Sequence, residues 1–441
     1  MSDTIFALGS GPAPAGVAVI RLSGPHAGTA LSTLTDGRPF PDPRVATLRN
    51  LIDPTSSGLL DQGIVLWFPA PNSFTGEDVA ELHVHGGAAS IQAVLSALST
   101  IPGCRMAEAG EFTRRAFAAG RMNLTEVEGL ADLIAAETDA QRRLALRQAS
   151  GEGADLYKNW TDRLVRILAT LEAAVDFPED DLPEQILNRN EIDIRTLVEE
   201  WTQHIELGRA SAGIRDGVRV AILGAPNVGK SSLLNRLAGR DAAIVSETAG
   251  TTRDVIEVRL DLGGYAVTLS DTAGLRETED RIEEEGVRRA LDAARAADLI
   301  LYLSDDATVL RSALPNALSD REGDIFLILT KQDTEEEADQ TTGLYPISSK
   351  TGAGLTQLLE RLEEACQSRY GAAVAAVAVR ARHREALAEA CDALEHALIE
   401  REFALAAEDV RIAVTQVGRI TGRVDVESIL DVVFSEFCIG K

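Results

Sequence analysis

Aromatic residues are scarce in this chain: eleven Phe, five Tyr and three Trp make up 4% of its 441 residues. Cores without aromatic bulk must be filled by Ala, Leu, Val and Ile, a composition that suits helices and parallel strands. Cysteine is scarcer still. Cys104, Cys366, Cys391 and Cys438 are scattered without the paired spacing of a zinc site or a disulfide framework, which points to a reducing compartment. There is no run of about twenty uninterrupted apolar residues, and the opening MSDTIFALGSGPAP has neither the basic start nor the apolar stretch of a secretory signal. A cytoplasmic chain with no membrane partner is therefore expected. Positive charge is also in deficit, with 43 Lys and Arg against 69 Asp and Glu and a net charge of −26. That balance excludes a broad electrostatic hold on a phosphate backbone, so any nucleic acid must meet a local basic patch or be carried by a partner.

The chain is too long for one ordinary core, and two or three domains are expected. Residues 1–118 mix strand-like runs (GVAVIRLSG, GIVLWFPAPNSFTGED, VAELHVHGG) with the helix-like ASIQAVLSALSTI, which predicts an α+β domain. From about Thr125, apolar residues recur at helical spacing through TEVEGLADLIAAETDAQRRLALRQASGEGADLYKNWTDRLVRILATLEAAVDF. The same texture returns after residue 376. Between these blocks VRVAILG, DLILYLSD, DIFLILT and LYPISS read as strands of a mostly parallel sheet alternating with helices. The expected organisation is multidomain: an α+β domain at 1–118, an all-α domain split into 119–216 and 376–441, and an inserted α/β P-loop domain at 217–375.

The strand VRVAILG runs into GAPNVGKSSLLNRLAG. Gly224, Gly229, Lys230 and Ser231 match the phosphate-binding loop in its required strand–loop–helix setting. Glycine lets backbone amides wrap the phosphates; Lys230 would reach the β- and γ-phosphates and the Ser231 hydroxyl a Mg2+ ion. Three pieces then follow in the order a GTPase needs. GTTRD offers Thr252 to the metal, DTAG offers Asp271 near the metal and Gly274 to the γ-phosphate, and TKQD offers Asp333 to the guanine N1 and N2 donors. The backbone of SSK, 348–350, is placed at guanine O6. Leu275 stands where many small GTPases carry a water-orienting Gln, so another group must do that work. Asn227 has two readings, a ligand for a monovalent cation beside the phosphates or a stabiliser of its own loop.

The segments NSFTGEDVAELHVHGG, GEFTRRAFAAGRMNL, DFPED, GAPNVGKSSLLNRLAGRDAAIVSETAGTTRD, DTAGLRET and the terminal FCIGK together resemble the MnmE (TrmE) family of tRNA-modification GTPases over essentially the whole length. The resemblance implies a folate-binding, dimerising amino-terminal domain and a GTPase activated by K+-dependent dimerisation. It implies K+ ligands Asn227, Ser246, Thr248 and Thr251, and Mg2+ ligands Ser231 and Thr252. Glu283 is implied to orient the attacking water, alongside Lys230, Asp271 and Gly274. Nucleotide contacts are implied at Val228, Gly229, Ser232 and Glu247, and again at Lys331, Ser348, Ser349 and Lys350. For a tetrahydrofolate derivative (5-formyl- or 5,10-methylene-tetrahydrofolate) the implied residues are Arg21, Glu81, Arg121 and Lys441. The implied activity modifies carbon 5 of the wobble uridine, position 34, of certain tRNAs. The implied assembly is a homodimer joined by the MnmG/GidA flavoprotein in a heterotetramer or larger complex, with FAD only on that partner.

Cys438 keeps two readings, participant in the modification chemistry or apolar residue of a folded tail. His83 and His85 would share one strand face, but no third metal ligand is apparent, and packing is the expected role. The chain departs from the family at Thr330, where Asn is usual, which predicts a looser tie between the base-binding loop and the phosphate loop. It departs again at Arg121, where Lys is common, and at SGPAPAG, which lacks an Arg and an extra Gly. A ribosome-assembly GTPase is the competing reading; its expected basic RNA-binding module is at odds with the acidic charge and with FCIGK.

Overall fold

Alternating apolar residues make strands of much of the first hundred residues. The computed structural model describes residues 3–176, 184–240, 242–244, 257–271, 291–312, 321, 324–333, 343–374, 377, 380–422, 430, 433–434, 437 and 440. They fall into two units: Met1–Ala131 with Ala154–Asp162 and Val414–Lys441, and Asp132–Gly153 with Arg163–Ala413.

In the first unit, β1 (Thr4–Leu8), β2 (Ala15–Ser23), β3 (Thr47–Ile52), β4 (Leu59–Phe68), β5 (Val79–Gly86) and β6 (Cys104–Met106) form one sheet ordered β3-β4-β5-β2-β1-β6. Every pair is antiparallel except β1 with β6. Phe6, Ile20, Leu22, Leu82 and Val84 bury one face against Leu31 and Leu34 of helix Ala27–Leu34 and Val94 and Leu98 of helix Ala88–Ser99. Strand alternation sends the neighbours of those residues to the other face. There Ile5 and Ala7 pack with Ala107 and with Phe112 of helix Glu111–Ala118. The chain returns to this unit at its end: Phe434 and Phe437 pack on Leu124 and Val127. Gly440, at φ 104°, lies so close to Leu8 that a Cβ would run into the Leu8 carbonyl oxygen.

In the second unit, β7 (Val218–Gly224), β8 (Glu257–Leu262), β9 (Tyr265–Asp271), β10 (Leu299–Ser304), β11 (Ile325–Leu329) and β12 (Leu344–Pro346) form a sheet ordered β12-β11-β10-β7-β9-β8. All pairs are parallel except the β8–β9 hairpin. The expected parallel α/β sheet is thus present, and β8 joins it as an edge strand with Val258, Leu260 and Leu262 turned inward. The long helical stretch is broken into Leu124–Ala135, Asp139–Ala149 and Glu152–Asp176. The first break lies at TDAQ, where Gln141 Oε1 accepts the backbone amides of Thr138 at 3.2 Å and Glu137 at 2.9 Å and so starts a new helix. The second lies at Gly151, whose φ of 91° favours glycine.

The β8–β9 turn is docked on helix Asp139–Ala149. The Ala140 amide donates to the Gly264 carbonyl at 3.0 Å, and Arg259 pairs with Glu137 at 3.4 Å. Ala140, Leu144, Ile214, Tyr265, Cys366 and Tyr370 belong to the same core as the sheet. Tyr370, on helix Leu355–Val374, lies against Gly213 of helix Glu184–Asp216, where a Cβ would come within 2.6 Å of its ring.

His204 on helix Glu184–Asp216 is only 8% exposed, and His383 on helix Ala381–Ile399 is fully buried. Burial, with His383 adding to it, pushes the His204 imidazole down to about 4 from 6.5. Above about pH 7.5 both folded and unfolded forms are neutral and its contribution is constant. As pH falls toward 4, the unfolded chain takes a proton that the folded chain refuses, and stability is lost. Between pH 7.5 and 5 the loss is expected to be about 2 kcal/mol. Urea unfolding at the two pH values, followed by the second unit's signal, should show a difference of that size, reduced in His204→Leu. An unchanged difference in the variant refutes the assignment.

Among the described residues no helix is long and apolar enough to cross a membrane.

Candidate nucleotide site and amino-terminal pocket

Parallel strands bring their carboxyl ends to one edge, and in an open α/β sheet that edge is where ligands bind. Gly224 ends β7 beside Leu303 of β10, and Asp271 ends β9 beside Ile222. Ser304, Leu329 and Pro346 end β10, β11 and β12 in register. Four of the chain segments expected to touch nucleotide, those that begin at Gly224, Asp271, Thr330 and Ser348, therefore leave the sheet on one side, and GTTRD lies outside the described residues.

The loop after β7 is shaped by two glycines and an asparagine. Gly224, at φ 147°, approaches β10 so closely that a Cβ would strike the Leu303 carbonyl oxygen. Gly229, at φ 109°, precedes helix Lys230–Ala238, and Asn227, at φ 60°, takes the left-handed region that Asn tolerates best after Gly. The Lys230 ammonium folds back over the loop and donates to the carbonyls of Gly224 at 2.7 Å and Ala225 at 2.9 Å. With Lys230 6% exposed and the helix amino terminus beside it, the loop offers positive charge and amide donors, which suits a polyphosphate. Ser231 and Ser232 are exposed at the start of the helix, so the Ser231 hydroxyl is accessible to a Mg2+ ion, which would supply charge neutralisation between phosphate oxygens. Val228 is buried in the sheet core, and Asn227 stands exposed at the loop surface.

The base-binding side is tied to this loop by a residue that sequence reasoning took to be deficient. Thr330 does not lack a tie: its hydroxyl, 2% exposed, donates to the Val228 carbonyl at 2.8 Å. Its amide also donates to the Ser304 carbonyl at 2.8 Å, locking β10, β11 and the phosphate loop together. A hydroxyl is short, but Thr330 sits against Val228 closely enough for it to reach the phosphate loop. Lys331, at φ 63°, turns out to pair with Asp305 at 2.6 Å. The fully buried Ser348 donates its hydroxyl to Asp333 Oδ1 at 2.9 Å, which anchors one oxygen of the carboxylate. Ser349 is half-buried and Lys350 exposed in the turn that follows. Ser246, Glu247, Thr248, Thr251, Thr252, Gly274 and Glu283 lie outside the described residues, and Asp271 is described by its backbone alone.

A second constellation occupies the first unit. Arg21 and Glu81 are cross-strand partners on β2 and β5, joined from Arg21 Nε to Glu81 Oε1 at 3.0 Å. The guanidinium also lies 5.7 Å from the centre of the Phe74 ring and 5.9 Å from that of Phe112. The exposed Arg121 brings its aliphatic stem to Gly76, where a Cβ would lie 3.5 Å from it. These groups fit a folate in kind: an ionised carboxylate keeps lone pairs for ring N–H donors, aromatic faces suit a flat heterocycle, and arginines suit carboxylates. Bound there, a folate would supply a one-carbon unit. Cys438 and Lys441 lie outside the described residues, but Gly440 between them rests against Leu8 and Gly9 of this unit.

The helix that carries Phe112 is braced by charge. Arg115, 3% exposed, donates to Glu77 at 3.2 Å and to Asp3 and Glu111 at 3.1 Å, and Arg105 holds both oxygens of Glu111 at 2.8 and 2.6 Å. Burial alone would raise the Glu111 carboxyl. Hydrogen bonds from Arg105, the Glu108 amide and Arg115 outweigh it and hold the carboxyl below its ordinary value. Sequence reasoning missed this brace, although the Glu111–Arg115 spacing in GEFTRR is that of a helical ion pair. The two histidines do not converge on one point: His83 meets Glu81 at 3.3 Å and His85 meets Asp61 at 2.8 Å. Of the described cysteines, burial pushes the thiols of Cys366 and Cys391 up to about 12 and about 11 and raises that of Cys104, so none is an activated thiolate.

Residues 4–121 match the family model described as GTP-binding protein TrmE N-terminus, and residues 124–438 match that of the MnmE helical domain. The tRNA modification GTPase MnmE of Parvibaculum lavamentivorans is 52% identical over the full length of both chains. That of Paramagnetospirillum magneticum is 51% identical, again over both full lengths. A zebrafish (Danio rerio) mitochondrial protein, the 5-taurinomethyluridine-[tRNA] synthase subunit GTPB3, is 48% identical over all of this chain and 93% of its own. With a phosphate loop, a base-binding loop and two family models in succession, the chain belongs to the MnmE (TrmE) family of tRNA modification GTPases.

Proposed function

We propose that this chain hydrolyses GTP to GDP and phosphate, with Mg2+ at Ser231 and Thr252, to drive modification of carbon 5 of the wobble uridine in tRNA. One observation carries the nucleotide reading: the loop holding Lys230 and the loop holding Asp333 are bonded to each other through Thr330 and Val228 at one end of a parallel sheet. Lys230 neutralises phosphate charge, Asp333 selects guanine, and Glu283 orients water where Leu275 cannot. K+ held by Asn227, with Ser246, Thr248 and Thr251, offsets the charge that builds between the β- and γ-phosphates; the exposure of Asn227 supports this reading.

The uridine reading is supported by the zebrafish relative, which is named a 5-taurinomethyluridine-[tRNA] synthase subunit. In the same proposal the amino-terminal pocket takes a tetrahydrofolate derivative through Arg21, Glu81, Arg121 and Lys441. The chain works as a cytoplasmic homodimer with the MnmG/GidA flavoprotein, and domains at 1–118, 119–216 with 376–441, and 217–375 divide the labour. The net charge of −26 supports a partner that helps to hold the tRNA.

The decisive test is GTP turnover in K+ and in Na+ at matched ionic strength, with Asn227→Ala alongside. Strong stimulation by K+, absent in the variant, is the expected result. Equal rates in the two salts would remove the cation from the mechanism.

A further inference from the structure

The folate reading of the amino-terminal pocket leaves one polar neighbour of Glu81 without a role. Arg21 holds Oε1 of the carboxylate at 3.0 Å, and His83 Nε2 lies 3.3 Å from Oε2. Glu81 and His83 are two residues apart on β5 and so share a sheet face. Both are largely covered, with side-chain exposures of 17% and 29%. His85, the next residue on that face, is 74% exposed and bonded to Asp61 on the neighbouring strand.

The register relates His83 to the end of the chain across β2. His83 pairs with Val19 on β2, and the Val19 carbonyl accepts the Gly9 amide at 2.7 Å. Gly9, one residue past β1, Val19 on β2 and His83 on β5 thus form one row, about 10 Å long at the usual strand spacing. Gly440 lies against Leu8 and Gly9 at the far end of that row. A carboxylate gripped at one oxygen can still rotate about its last bond. Gripped at both, it presents its remaining lone pairs in one fixed direction.

We propose, on the strength of the folate reading, that His83 is a positioning residue: its Nε2–H donates to Glu81 Oε2 and fixes the carboxylate plane for the N–H donors of a pterin ring. Arg21 sets the other edge of the same plane, so the pair of donors converts a mobile anion into an oriented acceptor.

Equilibrium binding of 5-formyltetrahydrofolate to the full-length chain tests this, using His83→Leu, His83→Gln and Glu81→Gln with a thermal melt of each. His83→Leu is expected to weaken binding about tenfold. His83→Gln, whose amide can donate to the same oxygen, is expected to restore most of it, and both variants should melt with the parent. Loss of binding in Glu81→Gln but not in His83→Leu overturns the proposal and leaves the folate reading standing. Equal losses in His83→Leu and His83→Gln, with lower melting temperatures, also overturn it, because the role is then packing. If the parent does not bind the probe, or Glu81→Gln binds as the parent does, the folate reading itself falls and takes the proposal with it.

Discussion

Replacing Lys230 with Ala is expected to lower kcat for GTP by about 10²–10³. The ammonium is fixed by the Gly224 and Ala225 carbonyls at 2.7 and 2.9 Å, so it is already in place over the loop before charge develops in the transition state. Preorganisation of this kind is what gives one cation a large effect in a covered site. The ground state of GTP carries the same phosphates, so affinity should fall too, and more for GTP than for GDP because Lys230 is expected at the β- and γ-phosphates. Single-turnover hydrolysis and separate binding of the two nucleotides would resolve the two effects. Turnover within a few-fold of the parent would mean that the loop binds phosphate without acting on it.

The second large effect is a change of substrate. Asp333→Asn exchanges an acceptor for a group that presents a donor, while Ser348, fully buried and bonded to Oδ1, keeps the side chain in position. Guanine offers N1–H and an exocyclic amine; xanthine offers N1–H and a carbonyl. The variant should therefore lose GTP and accept XTP. A charge-assisted bond to the base is worth about 1.5–3 kcal/mol, so losing the one to the exocyclic amine, with the one to N1–H made neutral, should raise the KM for GTP by at least about tenfold. Steady-state kinetics with both nucleotides would measure the exchange. A variant that still prefers GTP would place base recognition on the Ser348–Lys350 turn, not on Asp333.

The motifs and their order were legible before any coordinates because local chemistry imposes them. A turn that wraps phosphate must have Gly at Gly224 and Gly229, whose φ values of 147° and 109° few other residues adopt. The strand preceding it is buried on both faces from Val220 to Leu223, hence the apolar VAIL within VRVAILG. The helical blocks were legible as texture, but their breaks were less so. TDAQ is a capping sequence inside an apolar periodicity that runs through it, and the periodicity dominated the reading. β8 alternates cleanly as EVRLDL, yet it is an edge strand six residues long beside a motif that drew the attention.

Thr330 shows most directly where sequence reasoning stops. Its residue type argued for a loosened base-binding loop, because a hydroxyl reaches less far than an amide. The distance it had to reach depends on how β7 and β11 pack about β10, over a separation of 102 residues. The brace around Arg115 is of the same kind: the Glu111 partner follows from helix spacing, whereas Asp3 lies 112 positions away and Glu77 lies 38 away. By itself the sequence determined which residues could bind phosphate, metal and guanine, because each of those tasks requires a particular functional group at a short fixed spacing. Only the tertiary structure decided that Thr330 is bonded to the phosphate loop, that His83 meets Glu81 while His85 meets Asp61, and that the last glycine returns to the first strand. Those outcomes depend on sheet order and register, which are set by the packing of distant apolar faces and are not written in any local stretch of the chain.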